Sequence, residues 1–459
     1  MKRFIILLFL STTLSFSQEI LTLDDAINIA LKNNLKIKMA QSVIGQAYYQ
    51  KEIAGSYFLP RLSSSFSYTY LGDNQPISFG GLPLPPVKLT DDNLYKLGLT
   101  VSQPLFTGGR ITKGYELSKE TYEKAMTDYE AEVQNTVLDV KKAYFNVLKA
   151  ERFLEVSKKY KELMEKHLKD VREMFEEGLA TKLDILKIEL GVKQAETKIT
   201  ESENFVKIAK ANLNFLMDRP LDSEFELKDI LEIKETEKKD YQWWRDIALR
   251  ERKEIKSMEK VLSIYEKNIG IARSGLFPQL YLFFNYNVEK GTETSMEGWE
   301  DNWNTGVLLS YDIWNWGETR NKIKKAQKEK EEMEGQFGLL KNSIEIEVKD
   351  AYLNLITAET KVGQCQKQIE LSEENLRVAE LLYKEGMATT TDIIDATTSL
   401  TDSRNSYYNA LYEYQVAYAQ LEKATGKVSE QGSPLTLSLS PQGRGEKEVS
   451  SPLGGEDGR

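Results

Sequence analysis

The sequence predicts a mainly α-helical chain with a β-barrel section, built from an internally duplicated unit of helix, hairpin, long helix and helix. Three observations predict it. Residues recur at a fixed offset along the chain, the longest helical stretch of each copy carries a heptad seam, and four short segments alternate apolar with polar residues.

The repeat is the broadest signal. Ala143, Tyr144, Asn146, Ala150 and Glu151 recur as Ala351, Tyr352, Asn354, Ala358 and Glu359. Gly178, Ala180, Thr181, Asp184 and Ile185 recur as Gly386, Ala388, Thr389, Asp392 and Ile393. These pairs, and Gly109 with Gly317, lie 208 residues apart. Nearer the N-terminus the offset is 218, matching Ile29-Ala30-Leu31 with Ile247-Ala248-Leu249 and Pro60 with Pro278. The difference falls in the Gly/Pro-rich stretch Gly72 to Pro86, which reads as an external loop. The units therefore span 18–220 and 241–428, with a polar connector at 221–240 near mid-height.

In each unit a first helix (about 23–57, then 241–275) buries a face such as Leu23, Ala26, Ile27, Ala30 and Leu31. The long helix begins after Gly108-Gly109 and carries Val133, Val137, Val140, Tyr144 and Val147 at alternating steps of four and three. The second copy keeps Val348, Tyr352, Leu355 and Val362 in phase. Both long helices stop at Glu-Gly, where Gly178 and Gly386 suit a residue of positive φ. Thr181 and Thr389 then cap the next helices, with Asp184 and Asp392 at the third position. Residues 110–177 would span about 100 Å of helix. Two half-length helices stacked end to end, 23–57 and 181–215, match that length.

The strands are expected at about 60–71, 94–105, 279–290 and 303–314. Leu62, Phe66, Tyr68 and Tyr70 alternate with Ser63, Ser65, Ser67 and Thr69. Leu97, Leu99 and Val101 alternate with Lys96, Gly98 and Thr100, and the other two segments repeat the pattern. About ten residues is the length of a tilted membrane-crossing strand. Phe58, Phe106, Phe277, Trp314 and Trp316 form one aromatic girdle near the helices; Tyr70, Tyr95, Tyr286 and Trp303 form another at the loop end. Four strands cannot close a barrel, so the chain must associate.

Composition narrows the function. The net charge of −10 argues against nucleic acid as the main partner. A single Cys, Cys365, excludes an intrachain disulfide, and a single His, His167, excludes multi-His zinc sites. No phosphate loop ends in Gly-Lys-Ser/Thr. No enzyme constellation, cofactor or metal site is expected. Cys365 reads as an inert helix residue, and His167, in Glu165-Lys166-His167-Leu168-Lys169, as a solvated surface residue. Residues 1–17 read as a secretory signal peptide: Met1-Lys2-Arg3, an apolar run from Phe4 to Leu10, then Ser15-Phe16-Ser17. Residues 429–459, rich in Gly, Ser and Pro, read as a disordered tail.

The pattern over 20–428 resembles the TolC family of outer-membrane efflux proteins. Its most specific stretches are Gly178-Leu179-Ala180-Thr181, Gly386-Met387-Ala388-Thr389 and the run from Asp392 to Leu400. The resemblance implies a homotrimer: a 12-strand outer-membrane β-barrel on a long α-helical periplasmic tunnel. It implies a passive channel that receives substrates from a periplasmic adaptor and an inner-membrane pump of RND, ABC or MFS type. By the same resemblance Asp392 and Asp395 ring the narrowest point, Tyr383 and Asp184 help hold it shut, and the two Gly-turn tips meet the adaptor. The family's latch Arg is replaced here by Ala388, so the closing network must differ. From the residues alone, acids in a first helical turn also complement the helix dipole, which suffices for Asp184 and Asp392 and explains Asp395 less well. The outer duct of a type I protein secretion system and a soluble periplasmic coiled-coil scaffold are the alternatives.

Overall fold

The structure is a computed structural model that describes residues 20–77, 88, 90–233, 239–292 and 298–427. The expected signal peptide, the tail 429–459 and most of the Gly72 to Pro86 loop lie outside these residues. The first unit contains β1 (Ile20–Leu21), α1 (Leu23–Asn33), α2 (Leu35–Ser56), β2 (Arg61–Tyr70), β3 (Asn93–Phe106), α3 (Arg110–Glu176) and α4 (Lys182–Leu216). After β4 (Glu226–Leu227) come α5 (Tyr241–Glu251), α6 (Lys253–Ser274), β5 (Gln279–Lys290), β6 (Glu300–Ser310), α7 (Glu318–Lys384) and α8 (Thr390–Ala424).

The duplication is visible as matched lengths. The pairs α1/α5, α2/α6, α3/α7 and α4/α8 have 11, 22, 67 and 35 residues each. Long helices of this length need a continuous packing stripe. In α3 the seam supplies it: Val133, Val137, Val140, Tyr144 and Val147 are all buried. Both long helices start from a left-handed glycine, Gly109 (φ +86°) and Gly317 (φ +81°), a conformation that other residues adopt at a cost.

The helices form one layer of four columns. In one half α2 packs on α3, α3 on α6 and α6 on α7; in the other, α4 packs on α3, α3 on α8 and α8 on α7. Each column joins one strand: α2 runs into β2, β3 into α3, α6 into β5 and β6 into α7. The antiparallel sheet has the order β2-β3-β5-β6, the same as the columns. The two repeats are stitched together where Leu97 of β3 pairs with Val288 of β5. Thr100, Asn285 and Asn304 link hydroxyl and amide side chains across three strands on the polar face. On the other face Leu62, Phe66, Leu99, Phe284, Val307 and Leu309 are exposed. Among the described residues, β2 and β6 each have one unpaired edge.

The first helix of each unit is broken, where a continuous helix was expected. Asn34 leaves the helical region (φ −53°, ψ 133°), and so does Arg252 (φ −58°, ψ 127°). Their offset is the same 218 residues. The side chains explain why. Asn34 accepts the Lys36 N–H at 2.8 Å and donates Nδ2 to the Leu216 carbonyl at 2.8 Å. Arg252 donates Nη1 to the Ala424 carbonyl at 3.1 Å. Each kink thus reaches an orphan carbonyl at the end of the half-length helix stacked below it. Arg252 is 3% exposed and also binds Glu254 and Glu347.

At mid-height the connector is more than a polar link. β1 pairs in parallel with β4, Phe225 and Leu231 are buried, and the Tyr144 hydroxyl lies 2.8 Å from the Lys228 carbonyl. The last strand also differs from expectation. It spans Glu300–Ser310, not 303–314, because Ser310 pairs with Gln279 and Pro278, before it, has no N–H to extend the ladder. Tyr286 and Trp303 pair three steps in from the loop end, and Trp299 stands near that end, 6.0 Å from the Tyr95 ring.

Arg252→Ala removes a buried guanidinium and strands its carboxylate partners, at a cost of about 3 kcal/mol. The thermal midpoint by far-UV circular dichroism is expected to fall; an unchanged midpoint would contradict the role of this kink.

Candidate functional site

The two hairpin tips opposite the sheet carry most of the sequence's candidate residues. Each tip is built from three local rules. Gly178 has φ +78° and Gly386 φ +72°. The Gly178 N–H bonds the Phe175 carbonyl at 3.0 Å and the Leu179 N–H bonds Met174 at 2.8 Å; Gly386 and Met387 repeat this with Tyr383 and Leu382. This is the Schellman stop, which satisfies the last carbonyls of a helix. Two residues on, Thr181 and Thr389 open the next helix with complete capping boxes. The Asp184 carboxylate accepts from the Thr181 N–H (3.0 Å) and hydroxyl (2.6 Å). That of Asp392 accepts both from Thr389 at 2.7 Å. These bonds hold both carboxyls below the usual range. Leu179 and Met387 cap the turns with apolar side chains, 69% and 70% exposed.

The tips also meet each other. Thr390, buried, sits between them: its hydroxyl lies 3.3 Å from the Tyr383 hydroxyl and adds a small share to what holds the Asp184 carboxyl down, after Thr181. Lys187 of α4 donates to the Thr391 hydroxyl at 3.1 Å, and Lys166 of α3 pairs with Glu380 of α7 at 3.4 Å. Val171, Ile185 and Ile188 pack beneath with Tyr383 and Ile394. Burial pushes the Tyr383 phenol up. Tyr383 and Asp184 are therefore brought together, through Thr390. Asp392 is engaged in its own cap. Asp395 is exposed one turn on and borders a polar groove with Gln368, Thr398, Asp402 and Ser403. The Ala388 N–H bonds the Leu382 carbonyl at 3.2 Å.

Lys166, Lys187, Thr390, Thr391, Glu380 and Asp402 were not singled out by sequence. Asp402 had a signal, since it lies seven residues past Asp395 and so on the same helix face. The others are cross-repeat contacts with no local signature.

His167 is a correction. It is 4% exposed, not solvated, and its Nε2 has no hydrogen-bond partner. It belongs to a local buried stripe: Tyr160, Met164, His167 and Val171 step by four, three and four, one residue out of phase with the seam from Val133 to Val147, and all are buried. Cys365 is likewise buried. Lys166 and Asp170 on α3 and Glu380, Tyr383 and Lys384 on α7 surround the cavity that His167 borders. Burial lowers its pKa, against the pull of Glu380.

The model of one family, described as outer membrane efflux protein, matches residues 26–218 and 244–427. The chain belongs to the outer membrane efflux protein family. The matched segments coincide with the two structural repeats. Outer membrane protein TolC of Vibrio cholerae is 26% identical over 366 residues, covering 74% of this chain and 78% of that protein. Alkaline protease secretion protein AprF of Pseudomonas aeruginosa is 21% identical over 420 residues, covering 88% and 84%. Among solved structures, the Campylobacter jejuni CmeC outer membrane channel matches with a TM-score of 0.76 at 20% identity, covering 90% of this chain and 88% of that one. The open state of the Neisseria gonorrhoeae MtrE outer membrane channel matches with a TM-score of 0.71 at 21% identity. As a TolC-family efflux protein, the chain is an outer-membrane channel protein whose helical part lies in the periplasm. Among the described residues no helix is long and apolar enough to cross a membrane.

His167 supplies a pH test at the tip. Its folded pKa is lowered, so the unfolded chain binds more protons and stability rises with pH. The stability it contributes is lost as pH falls from about 6.5, the ordinary His value, toward the depressed folded value. Between about pH 7.5 and 5 the wild-type thermal midpoint should fall further than that of His167→Gln. Parallel midpoints would contradict a buried, neutral His167.

Proposed function

We propose that three copies of this chain assemble into a passive exit duct: a 12-strand barrel in the outer membrane continued by a helical tunnel across the periplasm. The observation that carries the reading is the coincidence of two kinds of free edge. The sheet ends in β2 and β6, and the helical layer ends in the α2/α4 column and in α7, on the same two sides. The helical edges are apolar. On α7, Leu339, Ile346 and Leu353 are exposed at seven-residue spacing, and so are Leu371 and Val378. On the opposite edge Leu35, Met39 and Val43 on α2 and Leu183, Leu186 and Leu190 on α4 are exposed. Seven-residue spacing is what an adjoining coiled-coil helix covers. One neighbour on each side would satisfy sheet and helices together, and three copies give a ring wide enough to conduct.

The units are then residues 18–220 and 241–428, joined by the connector at 221–240. In the trimer Asp395 and Asp392 from three copies would crowd one axis and favour cations. The Tyr383–Thr390–Asp184 contact and the Lys187–Thr391 bond would hold the end shut, Lys187 standing in for the Arg that Ala388 replaces. The exposed Leu179 and Met387 give a periplasmic adaptor an apolar point of contact, with an inner-membrane pump behind it. The likeness to AprF, whose name is that of a protease secretion protein, supports a second reading of the same duct as the outer part of a type I secretion system. The exposed apolar sheet face is at odds with a soluble scaffold.

Planar-bilayer conductance tests both parts of the tip. Asp392→Ala with Asp395→Ala is expected to lower cation preference and divalent-cation block. Unchanged selectivity would remove these residues from the constriction. Tyr383→Phe with Lys187→Ala deletes two hydrogen bonds of about 1 kcal/mol each, shifting the closed–open balance of one chain by about thirtyfold. Mean conductance should rise; a conductance equal to wild type would place the latch elsewhere.

A further inference from the structure

We infer that the junction between sheet and helices holds a binding site for small amphiphilic anions. A cavity of about 940 Å³ opens there between the end of α2, the start of α3 and strands β2, β3 and β5. Two guanidiniums border it, Arg61 at the start of β2 and Arg110 at the start of α3. None of its lining residues is acidic, although the chain as a whole carries a charge of −10. Arg152, Arg172, Arg252, Arg377 and Arg404 all have carboxylate partners. Arg61 and Arg110 have none among the described residues, as is also true of Arg250, Arg273 and Arg320 away from the cavity; Arg110 is aimed by a 3.2 Å bond from Nη2 to the Tyr281 hydroxyl.

The rest of the wall is mixed: Leu59, Ile111, Ile271 and the rings of Tyr57 and Tyr115 supply an apolar surface, and Gln50, Ser56, Ser102 and Ser118 add neutral polar side chains. Ligand sites of this size are mostly apolar with a few fixed polar groups. Unpaired guanidiniums favour planar or tetrahedral oxyanions through paired N–H donors. The occupant that fits is an organic sulfonate or carboxylate with an aromatic or alicyclic body.

Its position excludes a lipid headgroup as the source. Arg61 pairs with Ser102, and Pro104 with Tyr281. Residues two apart share a strand face, so Arg61 and Ser102 lie with Ser63, Ser65 and Thr100 on the polar side, opposite Leu62 and Val101. In the assembly proposed above that side is the wall of the conduit, and the occupant is cargo in passage. This last step rests on the channel reading; the pocket itself does not.

The test is calorimetric titration of the full chain in phosphatidylcholine nanodiscs with naphthalenesulfonate, and with naphthylmethylammonium as the cationic counterpart. One anion per chain is expected, with preference for the anion. Arg61→Gln with Arg110→Gln should weaken binding at least about tenfold, while Arg61→Lys with Arg110→Lys keeps it. Equal affinity in the Gln pair, or equal binding of the cation, overturns the site. Conductance of the same preparations separates the two claims. A chain that binds without conducting removes the channel reading alone, and one that conducts without binding removes the pocket alone.

Discussion

An unpaired strand edge cannot be left in hydrocarbon, because each unsatisfied N–H and C=O there costs several kcal/mol. That constraint organises the whole chain. A sheet of four strands with an apolar outer face can be stable in a membrane only if its two edges find partners. The chain meets the demand at a distance as well as locally. The columns follow the strand order, so an edge strand stands over an edge column on both sides. Closing the sheet and covering the apolar stripes of α2, α4 and α7 are then one event.

Duplication makes this economical in sequence. The helices of the two copies share lengths to the residue, yet they reach the same geometry with different chemistry. The kink at Asn34 uses a carboxamide that competes for backbone hydrogen bonds, and the kink at Arg252 uses a buried guanidinium held by two carboxylates. What is repeated is the demand, a break where two half-length helices abut end to end and leave carbonyls exposed. The tips differ from this, because there the chemistry itself is repeated: a left-handed glycine, a threonine cap and an aspartate at the third position. A stop and restart within four residues leaves fewer solutions.

This explains how much could be read in advance. Periodicity exposed the seam through Val133 and Tyr144, the strand faces and both tips, since these depend on neighbours three or four residues away, or two for strands. The kinks escaped because Asn34 and Arg252 have no chemistry in common. His167 was misread because Lys166 and Lys169 dominate its surroundings in sequence, while the local buried stripe through Met164 and Val171 fixes where it points. Thr390 and Lys187 bridge the two repeats, and no local pattern marks such a contact. The end of β6 moved because its length is set by its partner β5 rather than by its own alternation past Ser310.

The conduit wall would then change sign along its length, with guanidiniums at the sheet junction and carboxylates at the far tips. The role of the tip carboxylates, and the reading of the junction site's occupant as cargo, both depend on closure of the ring. Its most direct test is the mass of the detergent-solubilised protein, by sedimentation with the detergent's contribution matched out. The account predicts a single species containing three chains. A stable species of one chain, with β2 and β6 still unpaired, would contradict it.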